Sequence, residues 1–316
     1  MSPRHVESLT GRVGEPASGL PKDVPPAESA SSRKKVIRPK NVGLIVASVV
    51  LAFEVVAMIA PGLLTTHSPV SANASQVLLP PSSTHWLGTE ANGVDMFSRI
   101  VYATRTDLLI ALICVAVAMV AGGLLGVFAG YVRNFLSEGL MRLLDFLQSF
   151  PIFILALAFV AIRGQSRLNV MIVLSLLFIP VIARLVRAEA LATSEKAYVR
   201  ISRHLGVGAR KVMLGHVLPN SLGSSVIQMS VNAGLAVLLT ADLGFIGAGV
   251  RPPTPEWGAD AASGAQQLLI GKWWASVFPG VAIILTVWAL SYLSIWFGNR
   301  FIAHRSRPRT RIGAAS

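Results

Sequence analysis

The sequence predicts an all-α integral membrane protein with six transmembrane helices. Of its 316 residues, 53% are hydrophobic and only 14% are charged, whereas a soluble domain carries roughly 25% charged residues. Six apolar stretches are long enough to cross a bilayer, and the basic residues concentrate in alternate connecting segments. These three observations together favour a membrane bundle over a soluble fold.

A helix needs about 20 apolar residues to span the hydrocarbon layer. The predicted spans are residues 42–64, 107–130, 140–162, 168–187, 224–249 and 276–298.

The predicted spans divide the chain into four parts. Residues 1–40 are rich in Pro, Ser, Gly and charge, so we expect a disordered basic tail. Residues 41–106 hold the first span and a long loop. Residues 107–300 form a core domain of five spans with a polar loop at 188–223, and residues 301–316 form a second basic tail.

The distribution of Lys and Arg predicts the orientation. Of 28 such residues, 22 lie in the two tails, the 131–142 turn and the 184–216 loop, and 6 lie on the other side. Cytoplasmic loops carry the excess of positive charge, so both termini and the 188–223 loop are expected to be cytoplasmic. The net charge of +13 therefore reflects topology and contact with lipid headgroups, and no nucleic-acid partner is expected.

The segments 65–106 and 251–275 are expected on the external side. Each could contact an external protein or cap the helix bundle. Tryptophans are enriched at the membrane interface, and this aromatic belt is the favoured interpretation for Trp86, Trp257, Trp273 and Trp274.

Small residues recur every fourth position in the second span, at Ala118, Gly122, Gly126 and Gly130. Small residues at this spacing let two membrane helices approach closely. We expect a packing face, with a pore lining as the alternative.

Three acidic residues in or near the spans are informative because charge is costly there. Asp145 is expected to pair with Arg142 one turn away. Glu54 and Asp242 are assigned to a translocation path. For Glu54, which has no local partner, the favoured alternative to a proton or cation role is a hydrogen bond between helices or a water-facing position.

A polar segment stands between two apolar ones, from Tyr198 to Asn220, and we call it the basic island. It is predicted to form two short helices, broken at Gly206-Val207-Gly208 because glycine allows a sharp turn, and stopped at Leu218-Pro219 because proline lacks an N–H. A helix that lies on lipid carries a broad apolar face with Trp or Phe anchors. The island has neither anchor, which favours a groove on a partner protein.

No catalytic residue, metal site or cofactor is expected on this chain. The sequence holds no Gly-x-x-x-x-Gly-Lys-Ser/Thr phosphate loop, no recognisable nucleophile and base, and no histidine spacing that suits a metal. The lone Cys114 is expected to be core filler. A partner must therefore supply the energy for any work.

The island resembles a cytoplasmic motif of ABC importer permeases. In that motif Glu-Ala-Ala is followed by three residues of any type, Gly, nine further residues, Ile, one residue and then Leu-Pro. Gly206 and Leu218-Pro219 match it, with Arg200-Ile201-Ser202 in place of Glu-Ala-Ala and His216 in place of Ile. Flanking motifs are similar to the dipeptide, oligopeptide and nickel branch, and within it to the second permease of the heterodimer. They are Leu87-Gly88-Thr89-Glu90 with Gly93, Asp95 and Ser98-Arg99, then Arg142-x-x-Asp145 with Phe150-Pro151, and Phe245 to Gly249 followed by Pro252 to Gly258.

The resemblance implies a type I ABC importer permease fold in a bacterial inner membrane. It implies a second six-helix permease subunit, two cytoplasmic ATP-binding subunits that hold ATP and Mg, and an extracytoplasmic solute-binding protein. The ATPase-coupling residues would be Tyr198, Arg200, Ile201, Ser202, Arg203, His204, Leu205 and Gly206, and the binding-protein contacts Asp95, Arg99, Pro252, Pro253 and Trp257.

The expected cargo is a di- or oligopeptide, with nickel, a metal chelate or another small solute as the alternative. The rival classes are an ion- or proton-coupled transporter, which would make Glu54 and Asp242 central, and an intramembrane enzyme. Both would act without ATPase subunits.

Overall fold

The computed structural model describes residues 41–305, with side chains from 42 to 298. Within these residues the protein is helical, with one isolated bridge between Thr89 and Asp95. The predicted tail 1–40 lies outside the described residues, as do residues 306–316. Residues 301–305 continue the last helix instead of beginning a tail.

Between residues 41 and 305, eleven α-helices follow one another. They are α1 (Asn41–Ile59), α2 (Met96–Val132), α3 (Phe135–Gln148), α4 (Ile152–Arg163), α5 (Arg167–Ser194), α6 (Ala197–His204), α7 (Ala209–Val212), α8 (Leu218–Ser221), α9 (Gly223–Phe245), α10 (Trp257–Ala265) and α11 (Trp274–Arg305). Five of them, α1, α2, α5, α9 and α11, are long and apolar enough to cross a membrane. The all-α membrane fold is confirmed.

The predicted span 140–162 is not one straight helix. α3 and α4 meet at an angle of 86° across Ser149 to Pro151. Pro151 has no N–H to donate, and its ring disfavours helical backbone at Phe150. The described residues therefore provide five spans, or six if this bent pair counts as one.

α2 begins eleven residues earlier than the apolar pattern predicts. The side chain of Asp95 accepts a hydrogen bond from the backbone N–H of Ser98 at 2.8 Å and caps the helix. With 37 residues the helix is about 56 Å long. It therefore extends well beyond an apolar layer of about 30 Å.

α2 and α5 form the most extensive helix pair, and the small-residue stripe lies at their contact. A Cβ added to Gly122 would stand 2.7 Å from the carbonyl oxygen of Ile179, and one added to Gly126 would stand 2.9 Å from Cβ of Val186. The predicted packing face is thus confirmed. α9, α10 and α11 pack on the remaining side, and α1 lies across α2 and α11.

Candidate functional site

The basic island lies at the end of the bundle where α5 ends and α9 begins, which we call the island end. Its first helix, α6, is held to the bundle by a fully buried Val199. The guanidinium of Arg203 lies 4.3 Å from the centre of the Tyr131 ring at the end of α2. A cation over an aromatic face is attractive, so Tyr131 helps to orient α6.

The other face of α6 is exposed and partly apolar. Tyr198, Ile201 and Leu205 are 41%, 56% and 77% exposed, and their spacing places them on one side of the helix. Arg200 and His204 are exposed beside them. Exposed apolar side chains grouped with basic ones are typical of a protein contact.

The predicted break after α6 is present, and the predicted stop is wrong. Gly206 has a φ of +77°, and nothing lies within 4 Å of an added Cβ, so its backbone conformation alone selects glycine. Beyond it α7, a π-helical turn at Met213–Val217 and α8 form a continuous segment that ends at Ser221. Pro219 follows directly on this π-helical turn, in which the N–H of Leu218 donates to the carbonyl oxygen of Met213. The α-helical hydrogen-bond pattern is therefore already interrupted where the N–H of the proline is missing.

The opposite end of the bundle carries residues 60–99 and 246–274, which we call the cap. Arg99, in the first turn of α2, donates from Nε to Oδ1 of Asp260 on α10 at 2.9 Å, and it lies 3.3 Å from Oε2 of Glu90. Trp257 donates from Nε1 to the carbonyl oxygen of Ile100 at 3.1 Å, and its backbone N–H donates to Asp107 at 3.0 Å. Two loops distant in sequence therefore form one buried unit.

Three of the residues expected to contact a binding protein are buried in this cap. Asp95 is 5% exposed, Arg99 9% and Trp257 1%, so the expectation of direct contact is corrected for these three, because their polar groups bond within the chain. Pro252 and Pro253 are exposed.

The aromatic-belt prediction is wrong for two of the four tryptophans. Trp257 and Trp274 are buried, whereas Trp86 and Trp273 are exposed, and for these two the membrane interface stays a prediction. Trp274 donates from Nε1 to the carbonyl oxygen of Thr89 at 3.2 Å. The buried pair packs the cap instead of facing the membrane interface.

The cap buries more acidic than basic groups. Burial raises the pKa of Glu256 to about 7, although the backbone N–H groups of Gly258 and Ala259 donate to its carboxylate. Burial also raises the pKa of Glu90 and of Asp260, while the positive charge of Arg99 acts in the opposite direction on both. The cap therefore binds protons more readily than exposed carboxylates do.

The other sequence-selected acids lie apart from one another. Asp145 accepts from Arg184 on α5 at 2.6 Å, so its predicted pairing with Arg142 is wrong: an interhelical partner replaces the local one. Glu54 on α1 accepts from the hydroxyl of Thr286 on α11 at 2.6 Å, which is an interhelical hydrogen bond. Asp242 is exposed.

Four residues of these two ends were missed by sequence reasoning. Tyr131 and Asp260 lie outside the motifs named from the sequence, and Glu256 fills the unspecified position between Pro255 and Trp257. Only the fold brings these three residues to their partners. Asp107 begins the predicted second span, and its acidic side chain was a signal that could have been read. Among the described residues, no group of three or more His, Cys, Asp or Glu could hold a metal ion.

A bundle of membrane-spanning helices with a compact cap at one end and an exposed basic helix at the other defines a multi-pass membrane protein of the permease class. Residues 122–307 match the sequence profile of the family described as the binding-protein-dependent transport system inner membrane component. The chain belongs to this family, and it is an inner-membrane protein.

Several curated proteins are similar to the chain over most of its length. A probable D,D-dipeptide transport system permease protein of Escherichia coli strain K12 is 36% identical over 77% of this chain and 81% of its own. A dipeptide transport system permease protein of Alkalihalophilus pseudofirmus is 35% identical over 91% and 93%. A glutathione transport system permease protein of Pectobacterium atrosepticum is 38% identical over 67% and 70%.

Proposed function

We propose that this chain is one of two permease subunits of an ATP-driven importer for di- or oligopeptides, and that its termini and the basic island are cytoplasmic. The exposed face of α6 carries the proposal. It offers Tyr198, Ile201 and Leu205 to a partner, on a helix that the Tyr131 and Arg203 contact orients. The names of the similar proteins support peptides as cargo.

In this proposal the chain transmits force and performs no catalysis. ATP and Mg bind to two partner ATPases, whose approach moves α6 and the helices packed on it. The energy requirement is only that each ATPase state bind one permease conformation better than the other. Arg200, Ser202 and His204 complete the proposed contact with the ATPase.

On the external side we propose that Pro252 and Pro253 contact the solute-binding protein. Asp95, Arg99 and Trp257 then act indirectly, because they hold the cap that presents these prolines. Glu54 and Asp242 remain candidates for the translocation path.

The test is reconstitution of the chain with a sister permease, two ATPases and a binding protein in vesicles. Labelled dipeptide uptake should depend on ATP. Gly206→Val should lower uptake and peptide-stimulated ATP hydrolysis together by at least tenfold, because a β-branched residue is strained at positive φ. Gly208→Val is the matched control, since Gly208 has a φ of −54° and nothing lies within 4 Å of an added Cβ.

Three results would contradict the proposal. They are uptake without ATPases, uptake of nickel or another small solute in preference to peptides, and equal loss of activity in the Gly206 and Gly208 variants.

A further inference from the structure

A cavity of about 410 Å³ lies between α1, α2 and α11, away from the basic island. Its walls are mainly apolar, and they include Val50, Leu87, Ile100 and Phe278. Three polar side chains also line it, those of Glu54, Thr104 and Trp257. A pocket of this composition suits an apolar molecule with one polar group.

Only one of the three polar side chains has a buried polar atom that lacks a hydrogen-bond partner among the described residues. The hydroxyl of Thr104 and the indole N–H of Trp257 both donate to the carbonyl oxygen of Ile100, at 3.1 Å each. Oε1 of Glu54 accepts from Thr286 at 2.6 Å. Oε2 of Glu54 is buried and has no hydrogen-bond partner in the described part of the chain.

Oε2 of Glu54 needs a hydrogen-bond donor. Glu54 is 5% exposed, and a buried acceptor left without a partner is destabilising, more so if it is charged. A hydrogen bond from a cationic donor to a carboxylate is roughly twice as strong as one between neutral groups. An ammonium group therefore suits Oε2 better than a hydroxyl.

The cavity opens toward the outer surface of two membrane-spanning helices. Val49 and Phe53 on α1 are 63% and 45% exposed, and Val281 and Leu285 on α11 are 42% exposed each. Glu54 lies five residues before the cap end of α1, or about 8 Å along the helix axis. It is therefore near one edge of the apolar layer, within reach of a lipid headgroup.

We propose that this cavity binds one amine-bearing lipid, whose ammonium group donates to Oε2 of Glu54 and whose upper acyl chain packs against α1 and α11. Bound there, the lipid would link α1 to the rest of the bundle. Its positive charge would also compensate the Glu54 carboxylate, which has no basic partner among the described residues.

Thermal unfolding of the purified importer assembly in mild detergent tests the site. The probes are phosphatidylethanolamine and phosphatidylglycerol with identical acyl chains. We expect phosphatidylethanolamine to raise the unfolding midpoint of the unmodified chain at a concentration at least tenfold lower than phosphatidylglycerol does. Glu54→Gln should abolish this preference while it keeps the shape of the side chain.

Two further variants keep the proposal falsifiable. Ala282→Phe should abolish the preference by filling the cavity, and Asp242→Asn, which alters an exposed acid on another span, should retain it. An equal response of the unmodified chain to both lipids would overturn the proposal, as would an unchanged preference in Glu54→Gln. Disulfide cross-linking of Val49→Cys to a cysteine on the sister permease would also overturn it, because a protein would then cover the opening.

Discussion

Arg99 donates from Nε to Oδ1 of Asp260 across a separation of 161 residues in the chain. Its second guanidinium nitrogen, Nη2, contacts the same oxygen. The pair joins the first turn of α2 to α10, and both side chains are almost fully buried. The pair is therefore an ionic contact between two helices that are distant in the sequence. Pro252 and Pro253 lie beside it, since they line the same cavity as Arg99 and Asp260.

Loss of Arg99 should loosen the cap. Removal of one partner of a buried ion pair leaves an uncompensated charge and costs about 3–5 kcal/mol. We expect Arg99→Met to lower the thermal unfolding midpoint strongly, and Arg99→Met with Asp260→Asn to lower it by less than the sum of the single changes. Arg105→Met, on the exposed side of the same helix, is the control. Additive single changes would show that the pair is not coupled.

The stability of the cap should fall as pH rises. The pKa of Glu256 is about 7 in the folded chain against an ordinary value of 4.5, so between these values the folded state binds more protons than the unfolded state. The free energy of unfolding then decreases with increasing pH across this window, by at most about 3 kcal/mol for this group. The raised pKa values of Glu90 and Asp260 act in the same direction.

Unfolding midpoints measured from pH 5 to pH 8 check this prediction. The decline should be shallower in Glu256→Gln, because a neutral side chain has no proton to lose. Parallel curves for the two proteins would mean that Glu256 does not set the pH dependence.

The contact between α2 and α5 should not tolerate a methyl group at Gly126. An added Cβ would meet Cβ of Val186 at 2.9 Å and the carbonyl oxygen of Ala183, so Gly126→Ala should destabilise the protein by about 1–3 kcal/mol. Gly123→Ala is a matched control on the same helix, since its Cβ would meet only Cδ2 of Leu222 at 3.5 Å. Equal unfolding midpoints for the two variants would contradict close packing as the role of Gly126.

The contact of Arg203 with Tyr131 should support coupling. Tyr131→Leu and Arg203→Ala each remove a cation–π interaction worth about 0.5–1 kcal/mol at an exposed site, so α6 should be less well oriented. We expect fewer peptides transported per ATP hydrolysed in reconstituted vesicles, with little change in assembly. Arg210→Ala, which removes an exposed charge nearby, should leave this ratio unchanged. A ratio that falls equally in all three variants would indicate a general charge effect.

Local features of the sequence predicted most of the membrane architecture. Apolar length placed α1, α5, α9 and α11 within a few residues, except at the ends of α5 and α11, which each lie seven residues beyond the predicted span. It failed at the start of α2, because Arg99 and other polar residues lie in the helix after its cap, Asp95. The partner of Arg99 is Asp260, 161 residues away, so no window of neighbouring residues reveals that Arg99 is buried.

The features of the candidate surfaces also divide into those that the sequence predicted and those that depend on the fold. The glycine turn at Gly206 and the exposed charges of the island are local properties, and the sequence predicted both. Its stop at Pro219 was wrong because the π-helical turn before Pro219 already interrupts the α-helical hydrogen-bond pattern, so the missing N–H does not end the segment. The pairing of Asp145 with Arg184 instead of Arg142 depends on how α3 crosses α5.

The sequence by itself determined the class of protein, the approximate positions of the spans and the segment proposed to meet a partner, because hydrophobic length, charge and glycine content act locally. Only the tertiary structure decided which polar residues are exposed. Arg99, Asp95 and Trp257 read as surface motifs, yet they form the interior of the cap, since a buried polar group must find its partner wherever the fold places one.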